Sequence, residues 1–215
     1  IDPAEVNKNV PVDVAVLGDA RETLSLLLPK IRKNKHEAWL SEFHKKYEEE
    51  YSTVIEKDIH PKKPGLTMGE VVSEINRATD HRAVIVTDVG QHQMFAAQFY
   101  LFDEPRRWIN SGGLGTMGFG LPAAMGVQLA FPDAPVACIS GEASILMCIQ
   151  EMATCKQYDL PVKVVLLNNG YMGMVRQWQD MIYKGHRAES DLSDPATSVK
   201  RSSEVEVYPD FVTIA

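Results

Sequence analysis

Two polar turns carry the residues best suited to chemistry. Glu142 follows Gly141 at the end of one apolar run, and Asn168, Asn169 and Gly170 close another. Between Gly141 and Gly170 the run GEASILMCIQEMATCKQYDLPVKVVLLNNG reads as strand end, turn, helix, loop, strand and turn. The Glu142–Asn169 separation is close to the roughly thirty residues of a βαβ unit. In a parallel sheet such a unit returns the chain to the same edge. A carboxylate oxygen and an amide oxygen would then face one crevice, beside backbone N–H groups at a helix start. Two hard oxygen donors in that place suit Mg²⁺ holding a diphosphate. Each turn alone has a plainer reading. Glu142 could simply cap its helix, and Asn-Asn-Gly could be only a turn, since these residues tolerate left-handed backbone. The pair at this spacing favours metal and phosphate.

Other candidates are weaker one by one. The run DVGQHQM ends a buried strand, where Gln91 and His92 can donate to an anion, although a single His there is more often structural. Gly112, Gly113, Gly115, Gly118 and Gly120 fall within nine residues, which allows close backbone approach to a ligand or merely a packed turn. They do not form a P-loop. Gly113, Gly115 and Gly118 have the G-x-G-x-x-G spacing, but no clear strand precedes them and no acid at a strand end follows at the right distance, which disfavours a dinucleotide fingerprint. Met174 and Trp178 lie four apart on one helical face, where ordinary core packing is the plain reading. Cys138, Cys148 and Cys155 show no CxxC pairing and are expected to be buried reduced thiols of a cytoplasmic chain.

These residues need a scaffold, and the chain reads as α/β. Of its 215 residues 45% are hydrophobic, so a core is feasible; the net charge of −7 argues against a nucleic-acid surface. No apolar run approaches the ~20 residues of a membrane span. Val12–Leu17 is expected as a strand and Ala20 to about Arg32 as a helix, the end of an α/β unit. An exposed helix over about His36–Tyr51 and a linker ending at Pro61 and Pro64 follow. Thr67 and Glu70 form a capping box for a helix over Met68–Arg77. Strands at Ala83–Thr87, Pro135–Ser140 and Val162–Leu167 alternate with helices at Gln93–Tyr100, Pro122–Ala130, Ser144–Lys156 and Val175–Tyr183. That alternation predicts a doubly wound parallel sheet with helices on both faces. Residues 186–208 read as a polar loop, and YPDFVTIA as the first turn of a helix. Both ends read as cuts, so the chain is expected to be a piece of a longer polypeptide, truncated at the C-terminus.

The motifs resemble a known family. Gly141-Glu142-Ala143, a helix, a strand and Asn168-Asn169 are similar to the thiamine-diphosphate motif, usually GDG or GDA and ending in NN. GQHQMFAAQF, RRWINSGGLGTMGFGLPAAMG and NNGYMGMVRQWQDMIY resemble the catalytic large subunit of acetohydroxyacid synthase, also called acetolactate synthase. The resemblance covers about Thr67 to Arg187, more weakly IDPAEVNKNVPV. It implies that 1–33 is the tail of a central FAD-associated α/β domain, 34–66 a helical linker, and 67–215 an incomplete diphosphate-binding domain. The implied reaction condenses two pyruvate, or pyruvate and 2-oxobutyrate, through a hydroxyethyl-thiamine diphosphate carbanion, in branched-chain amino-acid biosynthesis. Thiamine diphosphate and Mg²⁺ are the implied cofactors, with FAD in the full-length enzyme. A homodimer or tetramer of large subunits and a regulatory small subunit are the implied partners.

Residue roles follow by position. Glu142 and Asn169 are implied Mg²⁺ ligands by side chain, and Tyr171 by its backbone carbonyl. Ala143 and Ser144 would meet the diphosphate at the helix start, and Gly90, Gln91 and His92 from the other side. Gly115 and Met117 would meet the aminopyrimidine. Met172, Gly173 and Met174 complete the cofactor site, Met174 as a wedge under the bent cofactor, and Trp178 lines the substrate channel. Three departures stand out. Glu142 replaces the usual Asp, which adds a methylene before a metal that tolerates little geometric slack. The polar stretch before Pro209 is longer than the family pattern, which puts the lid over the site in doubt. The glutamate that activates the aminopyrimidine belongs to a partner's pyrimidine domain, so this chain alone is expected to lack competence. Rival readings are another carboligase or decarboxylase of the same cofactor class, a nucleotide-binding oxidoreductase domain, and a non-catalytic assembly module.

Overall fold

The computed structural model describes residues 2–62, 64–192 and 209–214. They fall into two compact units, Ile1–Glu49 and Glu50–Ala215. The first holds α1 (Ala20–Leu27), a 3₁₀ turn at Leu28–Lys30 and most of α2 (Glu37–Glu50). Asp19 caps α1 through its carboxylate. None of this unit's described residues is buried. The strand expected at Val12–Leu17 does not form. A strand needs a partner for its backbone and a face to bury, and here Val12, Val14 and Val16 stand exposed.

The second unit continues the helix instead of the expected linker. A π-helical turn (Tyr51–Ile55) runs into α3 (Glu56–Ile59), and no Gly or Pro intervenes before Pro61. Thr67 then caps α4 (Met68–Ala78), its Oγ1 accepting from Glu70 N at 3.0 Å. The capping box is thus half made, since Glu70 Oε2 has no partner among the described residues.

The sheet comprises β1 (Val84–Thr87), β2 (Trp108–Ile109), β3 (Val136–Ser140) and β4 (Lys163–Leu166), all parallel, in the order β2-β1-β3-β4. Every residue of β1 and β3 is buried, as the unbroken apolar runs require when both faces are covered. Their side chains alternate. Ile85 and Ile139 join Val72, Ala96 and Phe99 from α4 and α5 (Gln91–Phe99) on one face. Val84, Val86 and Cys138 join Leu121, Ala124 and Ile145 from α6 (Gly120–Ala130) and α7 (Glu142–Leu146) on the other. The doubly wound α/β class therefore holds, with helices on both faces.

Two details depart from the sequence reading. β2 was not expected; it is two residues long and pairs Trp108 with Ile85 and Ile109 with Val86. The helix expected over Ser144–Lys156 breaks between α7 and α8 (Glu151–Gln157), where Met147 N and Cys148 N bond three residues back and the Cys148 thiol enters the core. All three cysteines are free, and Cys155 is only partly buried rather than buried. α9 (Gly173–Ile182) follows β4, and α10 (Phe211–Ile214) forms the helical turn read in YPDFVTIA. The loop expected over 186–208 lies mostly outside the described residues, as does the lid question tied to it. No helix among the described residues is long and apolar enough to cross a membrane.

Candidate functional site

From β1 the chain crosses to β2 on one side, and β3 lies on the other side of β1. That is a topological switch point, and ligands in open α/β sheets bind outside the strand ends there. Two helices start at this spot, α5 after β1 and α7 after β3. Their N-caps are Gly90 and Gly141, and neither has a side-chain cap. The first N–H groups of both helices therefore lack partners from a cap and present positive dipole ends. A cleft of about 200 Å³ opens between them.

The glycines are there because His92 sits between them. A Cβ on Gly90 would come 2.7 Å from His92 Cε1, and one on Gly141 would come 2.8 Å from Nδ1. Gly90 also has φ 155° and ψ −165°, a region closed to other residues. His92 is 6% exposed and its Nε2 has no partner among the described residues, a polar atom left over for a ligand. Burial pushes the imidazole down to about 4, against the pull of Asp88. The unfolded chain takes up this proton near pH 6.5, the folded chain near 4. Stability is therefore full above pH 6.5 and falls as the pH drops through that window. The expected loss from this group is about 2 kcal/mol between pH 7 and pH 5. Urea midpoints across that range should fall in the wild type and flatten in His92→Gln; equal slopes would contradict the assignment.

The second polar turn lies opposite α7. Glu142, 3% exposed, accepts at Oε1 from Tyr171 N (2.9 Å) and Asn169 N (3.3 Å). Asn169 Oδ1 also accepts from Tyr171 N at 3.0 Å. Burial pushes the Glu142 carboxyl upward, opposed by these backbone N–H groups. Gly170 O and Met172 N turn the other way, to Leu192 N and Ser190 O, each at 2.9 Å. In such an extended pairing the N–H and C=O of the middle residue point to one side. The Tyr171 carbonyl thus faces the side of Glu142. Glu142 Oε1 and Asn169 Oδ1 thus meet at one N–H, that of Tyr171, and a carboxylate and an amide oxygen are donors of the kind that Mg²⁺ accepts. No group of three His, Cys, Asp or Glu side chains among the described residues offers another metal site.

The structure brings together Gly90, Gln91, His92, Gly115, Met117, Glu142, Ala143, Ser144, Asn169, Tyr171, Met172, Gly173 and Met174, all of which line the cleft. Gln91 spans its mouth, accepting from Asn169 Nδ2 at 3.5 Å and donating to Gln177 at 3.1 Å. The Ser144 hydroxyl donates to Val89 O at 3.0 Å, which leaves its N–H for the role expected at the helix start. Trp178 does not line the cleft and is 53% exposed on α9, which removes the core-packing reading for it. Trp178→Leu is therefore expected to change stability by under about 0.5 kcal/mol. A melting-temperature loss of the size seen for buried tryptophans would restore the core role.

Asp88 was missed. It is fully buried at the end of β1, and its Oδ1 accepts from Val89 N (3.0 Å) and Gly118 N (2.8 Å). Its Oδ2 accepts from Ser140 Oγ at 3.2 Å. The carboxylate so ties the glycine segment, which does leave a strand (β2), to the ends of β1 and β3. An acid closing an apolar strand just before Gly90 was the available signal.

Residues 88–215 match the family model of the thiamine pyrophosphate enzyme C-terminal TPP-binding domain. Over its whole length the chain is 44% identical to the acetolactate synthase isozyme 3 large subunit of Escherichia coli (strain K12), and covers 36% of that protein. It is 45% identical to the acetolactate synthase large subunit of Haemophilus influenzae, over all of this chain and 35% of that one. It is 42% identical to the chloroplastic acetolactate synthase of Arabidopsis thaliana, over all of this chain and 31% of that one. The chain spans about a third of the length of these curated relatives.

Proposed function

Because the chain belongs to the thiamine pyrophosphate enzymes, through their C-terminal TPP-binding domain, we infer that its cleft holds the diphosphate of thiamine diphosphate with a Mg²⁺ ion. The observation that carries this reading is the meeting of two uncapped helix starts with the Glu142 and Asn169 side-chain oxygens at one switch point. Glu142, Asn169 and the Tyr171 carbonyl hold the cation. The N–H groups of Ala143 and Ser144 face the diphosphate from α7, and those of Gln91 and His92 from α5. Gly115 and Met117 form the rim for the aminopyrimidine, with Met172, Gly173 and Met174 opposite. When bound, the cofactor supplies an electron sink for decarboxylating a 2-oxo acid. The protein's part is to bind, orient and neutralise the diphosphate charge, and Trp178, outside the cleft, is available to the substrate side.

The similarity to acetolactate synthase large subunits supports a finer reading. The whole protein would condense pyruvate with pyruvate or 2-oxobutyrate, carry FAD, act in the cytoplasm and pair with further large subunits and a regulatory small subunit. Residues 1–33 would then end a central domain, 34–66 link it, and 67–215 form the diphosphate domain. The chain alone would be inert, because the acid that activates the aminopyrimidine would come from a partner's pyrimidine domain. An acetolactate assay of the purified chain with pyruvate, thiamine diphosphate, Mg²⁺ and FAD should give no product. Clear turnover would show that the activating acid lies within these residues.

A further inference from the structure

The carboxylate at position 142 makes contacts that a shorter one could not. Its Oε1 reaches across the cleft to the N–H groups of Asn169 (3.3 Å) and Tyr171 (2.9 Å). The same turn is tightened by Asn168 Oδ1, which accepts from Gly170 N at 3.1 Å, and Gly170 takes φ +74°. Three successive N–H groups of the turn thus end on side-chain oxygens. Glu142 supplies the one acceptor that comes from outside the turn, and it stands on α7, at the other wall of the cleft. An aspartate at this position would draw its oxygens back by about 1.5 Å, one C–C bond. The 2.9 Å contact to Tyr171 N would then pass out of hydrogen-bond reach.

We propose that Glu142 is a positioning residue that latches the Asn169–Tyr171 turn through Oε1 before any cation arrives. The extra methylene is what makes the latch possible. Both bonds to the turn end on Oε1, so Oε2 is the oxygen that meets the cation. The wall of the cleft is then held without the cation, whereas an aspartate here would leave the turn without this hold. The proposal deepens the diphosphate-site reading and takes its functional meaning from it, while the contact itself is the pair of Oε1 hydrogen bonds to the turn.

Hydrogen exchange of the purified chain in chelator, resolved at single amides, tests it. The Asn169 amide is expected to exchange about ten- to hundredfold more slowly in the wild type than in Glu142→Asp, the span of one charge-assisted hydrogen bond, while the Tyr171 amide keeps Asn169 Oδ1 and changes less. Glu142→Gln keeps the reach and an acceptor oxygen, and is expected to stay within about tenfold of the wild type. Amides of β1 and β3 should be unchanged in both variants, which reports an intact fold. Equal protection in wild type and Glu142→Asp would overturn the latch, as would a Glu142→Gln variant as unprotected as Glu142→Asp. No ligand is present in any arm, so failure of the cofactor reading would leave these rates as they are.

Discussion

Asp88→Ala is expected to destabilise the chain by about 3–5 kcal/mol, the largest effect of any single substitution near the cleft. The loss comes from what the carboxylate leaves behind. Gly118 N and Val89 N lose their acceptor, and the fully buried Ser140 hydroxyl keeps only its 3.3 Å contact to Gly141 O. Each buried group left unpaired costs about 1–3 kcal/mol. Asp88→Asn is the control. Its amide oxygen can still accept from Gly118 N, while its NH₂ faces Ser140 Oγ, which can accept and turn its own proton to Gly141 O (3.3 Å). The asparagine variant should therefore keep more than half of the lost stability. Urea unfolding of the three proteins would measure both steps. A loss below about 1 kcal/mol in Asp88→Ala would mean that water replaces the carboxylate, and that the glycine segment is held by other contacts.

Removing the cation's ligands should act on affinity instead. Glu142→Ala or Asn169→Ala is expected to weaken binding of Mg²⁺ and thiamine diphosphate ten- to hundredfold, or about 1.5–3 kcal/mol for one charge-assisted contact. Glu142→Asp keeps a carboxylate for the cation but loses the hold on the Asn169–Tyr171 turn, and is expected to bind with an affinity between those of the wild type and Glu142→Ala. Calorimetry of each variant with cofactor and metal separates these outcomes. Unchanged affinity in Glu142→Ala would remove this residue from the metal site.

Much of this was legible in the residues because the pattern and the physics agree there. β1 and β3 are unbroken apolar runs closed by glycine turns, and both faces of the sheet are covered as such runs require. The cleft was legible for the same reason: the spacing of Glu142 and Asn169 returns the chain to one edge, and all the residues assigned to the cofactor line one space. What stayed hidden depends on contacts that sequence does not carry. Val12–Leu17 has a strand's composition but no partner strand among the described residues. β2 is too short for any periodicity to mark, and only its pairing with β1 defines it. The break before α8 contains neither Gly nor Pro, and the entry of Cys148 into the core decides it. Asp88 looked like a polar residue at a strand end, and its importance lies in partners thirty and fifty-two residues away. Glu142 read as a ligand one methylene too long; its hold on the opposite turn required the distances.

The central claim is that this cleft binds a diphosphate through a divalent cation. The most direct measurement is a titration of the isotopically labelled chain, followed at individual backbone amides by NMR, a method that reads weak binding. Thiamine diphosphate with Mg²⁺ should shift the amides of Gly90, Gln91, Ala143, Ser144 and Tyr171. Chelator should abolish the shifts, and NAD should not reproduce them. Shifts that persist in chelator, that fall outside the cleft, or that NAD matches would contradict the account.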